Sequence, residues 1–575
     1  STITTNGGNV LMKGDGQSSS RGIVTYGANT ITAGAGTINL EGIVSGAINT
    51  SGVLFGVHDI EIASNMTMTS SASGDAIKIT GQGAGSGGGI ELTGTMTLES
   101  TGSGNINING TGGSGYGIEV GSYYHGILNA YAVSGDITLD GGTRGVRVSP
   151  AQLNGKTSGP SKINVGQGGN VASSSSDFYI IGDVFSVATS NGFAANTTGT
   201  ATIAPYSTSF SAPLSFPIAN VNLGASVSGL TLGKTTNTSL VTIGSATTIA
   251  GPINVYGGSI DVNANITATG GNILLDADVD STLSGNFDGI LIDNAVTIQT
   301  VGSGDITMIG RSGSGTSGLG IELTSANSTS IISAGNISLT GRSFTSTSSG
   351  GRGVDMVNDI ITAGGSITIT GQHDNQSSFG VALSNSDLTA ATGITLRALD
   401  ELSDNVGIVI PYNGSTLDGG SGDVQIIGQN IDFGTGTAVS ITTTGAVSIL
   451  SENASFASTV DLDRLSIAST VSALTIGKTT NTADVTFNAA TTISGPISVY
   501  GGTIRVLHNL NTTGGGAAGD IFLKASADIV HGNGRDITTE GGDVIYWADS
   551  DENNEGFIVF GANGGQDIVT NGGDI

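Results

Sequence analysis

The sequence predicts an all-β fold, an elongated right-handed parallel β-helix with about three short strands in each coil of roughly 30 residues. Three observations lead there: a Gly-led unit of alternating apolar and polar residues, its even recurrence, and a composition that excludes most other folds. The unit is a Gly, a polar residue, then apolar residues at every second position. It occurs as Gly135-Asp-Ile-Thr-Leu139, Gly304-Asp-Ile-Thr-Met308, Gly335-Asn-Ile-Ser-Leu339, Gly365-Ser-Ile-Thr-Ile369, Gly422-Asp-Val-Gln-Ile426 and Gly519-Asp-Ile-Phe-Leu523. A period of two puts Ile and Leu on one face of a strand and Thr or Ser on the other.

A second strand type lies between these: Gly117-Ile-Glu-Val120, Gly320-Ile-Glu-Leu323, Gly353-Val-Asp-Met356 and Gly380-Val-Ala-Leu383. A third apolar segment precedes the first type, as at Ile331-Ile332 and Ile360-Ile361. The nearly even spacing of Gly304, Gly335 and Gly365 sets the coil length. Helices are nearly excluded, because no window sustains i, i+3, i+4, i+7 apolar spacing and each interior Gly would cost about 1 kcal/mol. Glycine is expected at corners that need φ > 0. Tandem β-sandwich domains would instead show units of roughly 100 residues joined by linkers.

Of 575 residues, 96 are Gly, 8 are Pro and 11 % are charged, while 37 % are hydrophobic. Disordered chains are poor in β-branched apolar residues and rich in charge; this chain is the reverse. A net charge of −28 makes nucleic acid and anionic membrane surfaces poor partners. With no cysteine, disulfides, thiolate metal sites and Cys nucleophiles are excluded together. No run of 18 apolar residues exists to insert in a bilayer. The absence of an initiator Met and of a signal-peptide pattern leads to the expectation of an interior or processed fragment.

A longer repeat overlies the coils. Val227-Ser-Gly-Leu-Thr-Leu-Gly-Lys-Thr-Thr-Asn-Thr238 returns as Val471-Ser-Ala-Leu-Thr-Ile-Gly-Lys-Thr-Thr-Asn-Thr482, and Gly251-Pro-Ile-Asn-Val-Tyr-Gly-Gly258 as Gly495-Pro-Ile-Ser-Val-Tyr-Gly-Gly502, at a constant offset of 244. The expected organisation is a β-helix segment over 1–226, a first super-repeat copy over 227–470 and a partial second copy over 471–575, in one continuous solenoid. The ends also match each other: Gly7-Gly-Asn-Val10 aligns with Gly541-Gly-Asp-Val544, and Thr5-Asn-Gly-Gly-Asn-Val10 with Thr570-Asn-Gly-Gly-Asp-Ile575. The pattern is expected to continue in both directions.

Leu230-Thr-Leu-Gly233 and Leu474-Thr-Ile-Gly477, each followed by a polar segment and Ile-rich strands ending in Tyr-Gly-Gly, resemble filamentous-haemagglutinin-like large exoproteins. Gly541-Gly-Asp-Val-Ile-Tyr-Trp-Ala-Asp549 is similar to a unit of giant repetitive surface adhesins of Gram-negative bacteria. The resemblance covers essentially the whole chain. It implies a right-handed parallel β-helix at the extracellular bacterial cell surface, mediating adhesion, aggregation or biofilm formation. The secretion-recognition domain that heads such proteins is not evident.

Few residues ask for chemistry. Asp549, Asp551, Asn553 and Glu555 alternate in an acidic stretch like the start of a calcium loop, and calcium is the one cofactor they would hold. Asn554 replaces the expected Gly, no bidentate Glu follows, and a solvated acidic turn is the simpler explanation of the stretch. Asp276, Asp278 and Asp280 would share one strand face, without a basic residue at a matching coil position; the corresponding stretch, Lys524-Ala-Ser-Ala-Asp528, lacks two of the three. The five His are scattered. Thr67-Met-Thr69 and Thr95-Met-Thr97 fit an ice-binding Thr ladder only locally. The aromatic clusters are Tyr123-Tyr124-His125 and Phe178-Tyr179, with coil packing the simpler role for both. The expected function is a non-enzymatic stalk or fibre of a secreted adhesin, with a cell-surface glycan, a protein or further copies of itself as partner. The alternatives are a self-assembling filament subunit and a β-helical polysaccharide lyase or hydrolase. The enzyme would need two carboxyl groups in one groove beside a basic residue.

Overall fold

The computed structural model describes residues 1–17, 21–45, 52–55, 65–121, 125–149, 161–188, 192–218, 220–224, 226–279, 283–293, 295–315, 318–324, 328–344, 351–373, 379–399, 407–412, 414–434, 436–561 and 564–575. Short parallel strands dominate, and among the described residues the only helical turns are Gly142–Arg144 and Gly516–Gly519. The chain forms two compact units, one of 1–258 with 268–271 and one of 259–267 with 272–575. Each unit is a parallel β-helix.

In the first unit a coil runs through three strands in turn, for example Thr95–Ser100, Asn105–Thr111 and Ile118–Val120. Each pairs in parallel with its counterpart one coil later: Thr95 with Ile127, Ile106 with Ile137, Ile118 with Val146. In the second unit the same cycle runs through Thr297–Thr300, Ile306–Arg311 and Ile321–Leu323. The three strand types of the sequence are therefore the three faces of the coil.

Register makes the core. Ile306, Ile337, Ile367 and Ile394 are successive partners, as are Met308, Leu339, Ile369 and Leu396, and all eight are buried. Parallel strands lie about 4.8 Å apart, so like side chains stack and fill a narrow interior. Fully burying one such side chain is worth roughly 1.5–3 kcal/mol. Where the column departs from aliphatic residues it compensates in size: Ile137 is followed by Phe178, and Phe178 by Ala201. Phe193 packs against Phe178 with ring centroids 5.9 Å apart.

The polar residue between Gly and Ile in the repeated unit ties one coil to the next. Asp305 Oδ1 accepts the Asn336 backbone N–H at 2.7 Å, and Asn336 Oδ1 accepts that of Ser366 at 2.9 Å. Asp423, Asp520 and Asp543 do the same for Ala446, Asp543 and Asp574, and in the first unit Asn105 does so for Asp136. A corner N–H left without a strand partner is thus satisfied by the preceding coil.

Coil length is less regular than the sequence spacing implies. The short coil that links Val424 to its partner Val447 contrasts with the long one that links Ile137 to Phe178. Strand register is unchanged, because the extra residues enter between the strands. Positive φ explains many of the glycines, but those within the strands serve a second purpose. Gly310, Gly341 and Gly371 form one column and stand against Gly320, Gly353 and Gly380, and none of the six has positive φ. A Cβ on Gly341 would run into the Gly353 carbonyl oxygen, and one on Gly353 into the Gln372 backbone nitrogen. Close approach of two backbones demands glycine here.

Positive φ governs the duplicated motif instead. Gly233 and Gly477 both have φ of +76°. Asn237 Nδ2 donates to the Tyr256 carbonyl at 3.0 Å and Asn481 Nδ2 to that of Tyr500 at 2.7 Å. The Ser209 and Ser455 hydroxyls donate to the Asn side-chain oxygens, each at 2.9 Å. The long sequence repeat therefore builds the same corner once in each unit.

Replacing Gly341 by Ala should destabilise the second unit by roughly 1–3 kcal/mol through overpacking. Thr340→Ala, one residue away and exposed, should change stability by less than about 0.5 kcal/mol. Denaturant melts of the two variants check this; equal effects would remove the close-approach explanation.

Candidate functional site

Stacking brings together side chains that lie far apart in sequence, and every candidate must be judged on that geometry. The acidic stretch at 549–555 forms an exposed turn, with Asp549, Glu552 and Asn554 at positive φ. Asp549 Oδ1 accepts the Asn554 N–H at 3.1 Å, Asn553 Oδ1 accepts that of Glu555 at 2.9 Å, and Asn553 Nδ2 donates to Asp551 Oδ2 at 3.1 Å. These oxygens brace their own turn. Among the described residues, no group of three or more Asp, Glu, His or Cys side chains is placed to hold a metal ion.

Asp276 and Asp278 do not share a face. Asp276 takes the outward position of Ile273–Ala277, its side chain largely covered, whereas the backbone turns at Asp278 (φ +48°) and buries that side chain. Asp280 lies outside the described residues. A basic partner is present, contrary to expectation: Arg311, one coil on, bonds Asp276 Oδ1 through Nη1 at 2.9 Å. Separation in the sequence by a whole coil hides this pair.

The most perturbed carboxyl groups lie elsewhere. Glu322 and Asp355 are outward-facing partners in adjacent coils. Burial pushes the Glu322 carboxyl up to about 7, reinforced by the charges of Asp288 and Asp355 and a hydrogen bond with the Asp288 carboxyl, against the pull of Arg352. Asp288 Oδ1 accepts the Leu319 N–H at 2.7 Å, and Arg352 Nη1 donates to Asp355 Oδ1 at 2.6 Å. Beside them Asp359 is 1 % exposed. Burial raises it to about 7 although the Thr329 and Val357 N–H groups bond it, and Asp355 adds to the rise. Protonation of the folded state is the common remedy for so much negative charge in one place.

A Thr-x-Thr ladder also runs further than the sequence shows. Thr2, Thr30, Thr67 and Thr97 are successive partners, and so are Thr4, Thr32 and Thr69. Glu99 ends the second column, and its carboxylate accepts the Asn170 N–H at 3.0 Å and side-chain amide at 2.6 Å. Of the expected aromatic clusters, Tyr123 and Tyr124 lie outside the described residues and Phe178 is core.

Another aromatic group is invisible in linear order. Along one outward column, Thr307, Ser338, Thr368, Thr395, Gln425, Ser448, Thr475 and Ser498 follow coil by coil, then Phe522 and Ile545. The neighbouring outward column runs Tyr500, Lys524, Trp547. Tyr500 and Phe522 meet edge to face at 5.9 Å, and Lys524 Nζ sits 4.5 Å from the Trp547 ring centroid. Ile545 is 48 % and Trp547 45 % exposed. Aligning the first apolar residue of each Gly-led unit would have revealed this group, since each aromatic sits one or three places after it.

Comparisons with protein-family models, with curated proteins and with solved structures find no match, so function must be argued from these residues.

Because Glu322 and Asp359 are both raised in the folded state, their contribution to stability is complete below the ordinary carboxylate range. It is lost as pH rises through about 7. Glu322→Gln should flatten that fall and leave the variant more stable than the parent at pH 8. Hydrogen exchange of Ile321–Leu323 and Arg352–Val357 at pH 5 and pH 8 reads it; an unchanged pH dependence would contradict the assignment.

Proposed function

We propose that this chain is a structural fibre or stalk region of a secreted bacterial cell-surface adhesin, acting in attachment, aggregation or biofilm formation. The observation that supports it best is the register itself. In each unit the same strand positions recur coil after coil, with outward faces rich in Thr, Ser, Asn and Gln. Such a stack lengthens by adding coils without changing its cross-section. Among the described residues no helix is long and apolar enough to cross a membrane. The acidic surface disfavours nucleic acid and anionic lipid, leaving neutral or basic surfaces and other copies of the chain as partners.

One observation favours a second reading, a polysaccharide-degrading β-helical enzyme. Glu322 and Asp288 share a hydrogen bond beside Asp355 and Arg352, and Glu322 holds its proton to about 7, as a general acid must. Reducing-end release from soluble polysaccharides, lost in Glu322→Gln, would establish it.

The fibre reading is tested on source cells. Antibodies against this chain should label intact cells, and deletion of the coding region should reduce attachment or aggregation severalfold. Label confined to permeabilised cells would overturn it.

A further inference from the structure

We propose that His531 makes the coil running from Ile529 to Phe560 an acid-sensitive latch, closed at neutral pH and loosened when the ring takes up a second proton. The inference goes beyond the fibre reading and does not depend on it. His531 points inward at the end of Ile529–His531, between Val506 of the preceding coil and Phe560 of the following one. Phe487 is next in the same column, so the imidazole interrupts an otherwise apolar stack. It is 0 % exposed beneath Ile558–Phe560, and its burial therefore rests on nothing beyond Ile575. A Leu or Phe would fill this space with no polar atom to satisfy. Stability alone does not call for histidine here.

Two contacts fix the protonation of the ring. Nε2 lies 2.8 Å from the Arg535 carbonyl oxygen, which only accepts, so Nε2 carries the hydrogen. Nδ1 is then the bare nitrogen and accepts the Tyr546 hydroxyl at 3.3 Å. Phe560 and Tyr546 pack on the ring with centroids 5.5 and 6.2 Å away. A proton arriving at Nδ1 displaces the Tyr546 hydrogen bond, and neither partner of the resulting cation is a carboxylate. The ionisable groups on the surrounding elements give little relief. Arg505 is turned outward to Asp484, Lys524 outward to Trp547, Asp528 is spent on the Phe557 N–H, and Glu540 is exposed. Ile558–Phe560 carries no such group. Burial therefore outweighs the pull of the Arg535 carbonyl and of the Asp536 charge, and holds the ring below its ordinary value of 6.5. With the neutral ring favoured in the folded state, stability is undiminished above 6.5 and falls as pH drops below it, because the opened coil binds the proton more readily. This sign is opposite to that of the Glu322 group, which acid stabilises.

Hydrogen exchange of the full protein reads the latch coil by coil. Between pH 7.5 and pH 5, after correction for the intrinsic rate, the amides of Ile529–His531 and Ile558–Phe560 should exchange severalfold faster, by at most about tenfold for each pH unit below 6.5. Those of Ile321–Leu323 should not. Trp547, the only tryptophan in the chain and next to Tyr546, should report the same transition in its emission. His531→Gln, which stays neutral and keeps an amide for the Arg535 carbonyl, should abolish the response; His508→Gln, half-buried one coil earlier, should retain it. No acceleration in the parent, or an equal one in His531→Gln, would overturn the proposal. Should circular dichroism show His531→Gln unfolded at pH 7.5, the parent alone decides by nuclear magnetic resonance. The histidine ring in contact with Tyr546 and Phe560 should titrate below 6.5, and titration at or above that value would overturn the latch.

Discussion

The structure depends on one constraint: each strand must sit in parallel register on its counterpart one coil away. Ile306 on Ile337 on Ile367 on Ile394 is the simplest expression of it. Once that register holds, four other features follow. Aliphatic side chains stack into a core, corner Asp and Asn side chains meet the next coil's N–H, glycine columns let backbones touch, and like outward residues align. A shift by one residue would turn every Ile outward, so the hydrophobic pattern fixes register and register fixes the rest.

The three strand faces were legible because alternation and Gly spacing are local signals. Gly304, Gly335 and Gly365 mark the coil in an evenly spaced region. Elsewhere the short step from Val424 to Val447 and the long one from Ile137 to Phe178 escape a single period, because insertions fall between strands. Pairs formed across coils were not legible. Asp276 with Arg311, Glu322 with Asp288, and Lys524 with Trp547 each join residues from different coils, and nothing in linear order sets these apart from other residues. Positive φ accounts for corner glycines such as Gly233 and Gly477, whereas Gly341, inside a strand, is required by space, which linear order does not show.

What a stacked coil offers functionally is its outside, since the inside is filled. Polar outward columns of Thr, Ser and Gln keep the surface hydrated and chemically repetitive. Departures from that repetition are therefore the places to look for function. The second unit has two of them, the carboxyl group around Glu322 and the aromatic platform around Trp547. The first stores protons near neutral pH and makes local stability sensitive to alkali. The second sets Tyr500, Phe522 and Trp547 on the outward face of successive coils.

The central claim, coil-by-coil register, is open to a direct measurement because the chain has no cysteine of its own. Thr307 and Ser338 are outward-facing partners in adjacent coils, and parallel neighbours stand about 4.8 Å apart, within disulfide reach. The double variant Thr307→Cys with Ser338→Cys should form a disulfide readily on mild oxidation. Thr307→Cys with Thr340→Cys, displaced by one further repeat of the pleat, should not, because the two positions lie roughly 8 Å apart. Equal cross-linking of both pairs, or bridging of the displaced pair alone, would contradict the register on which the account stands.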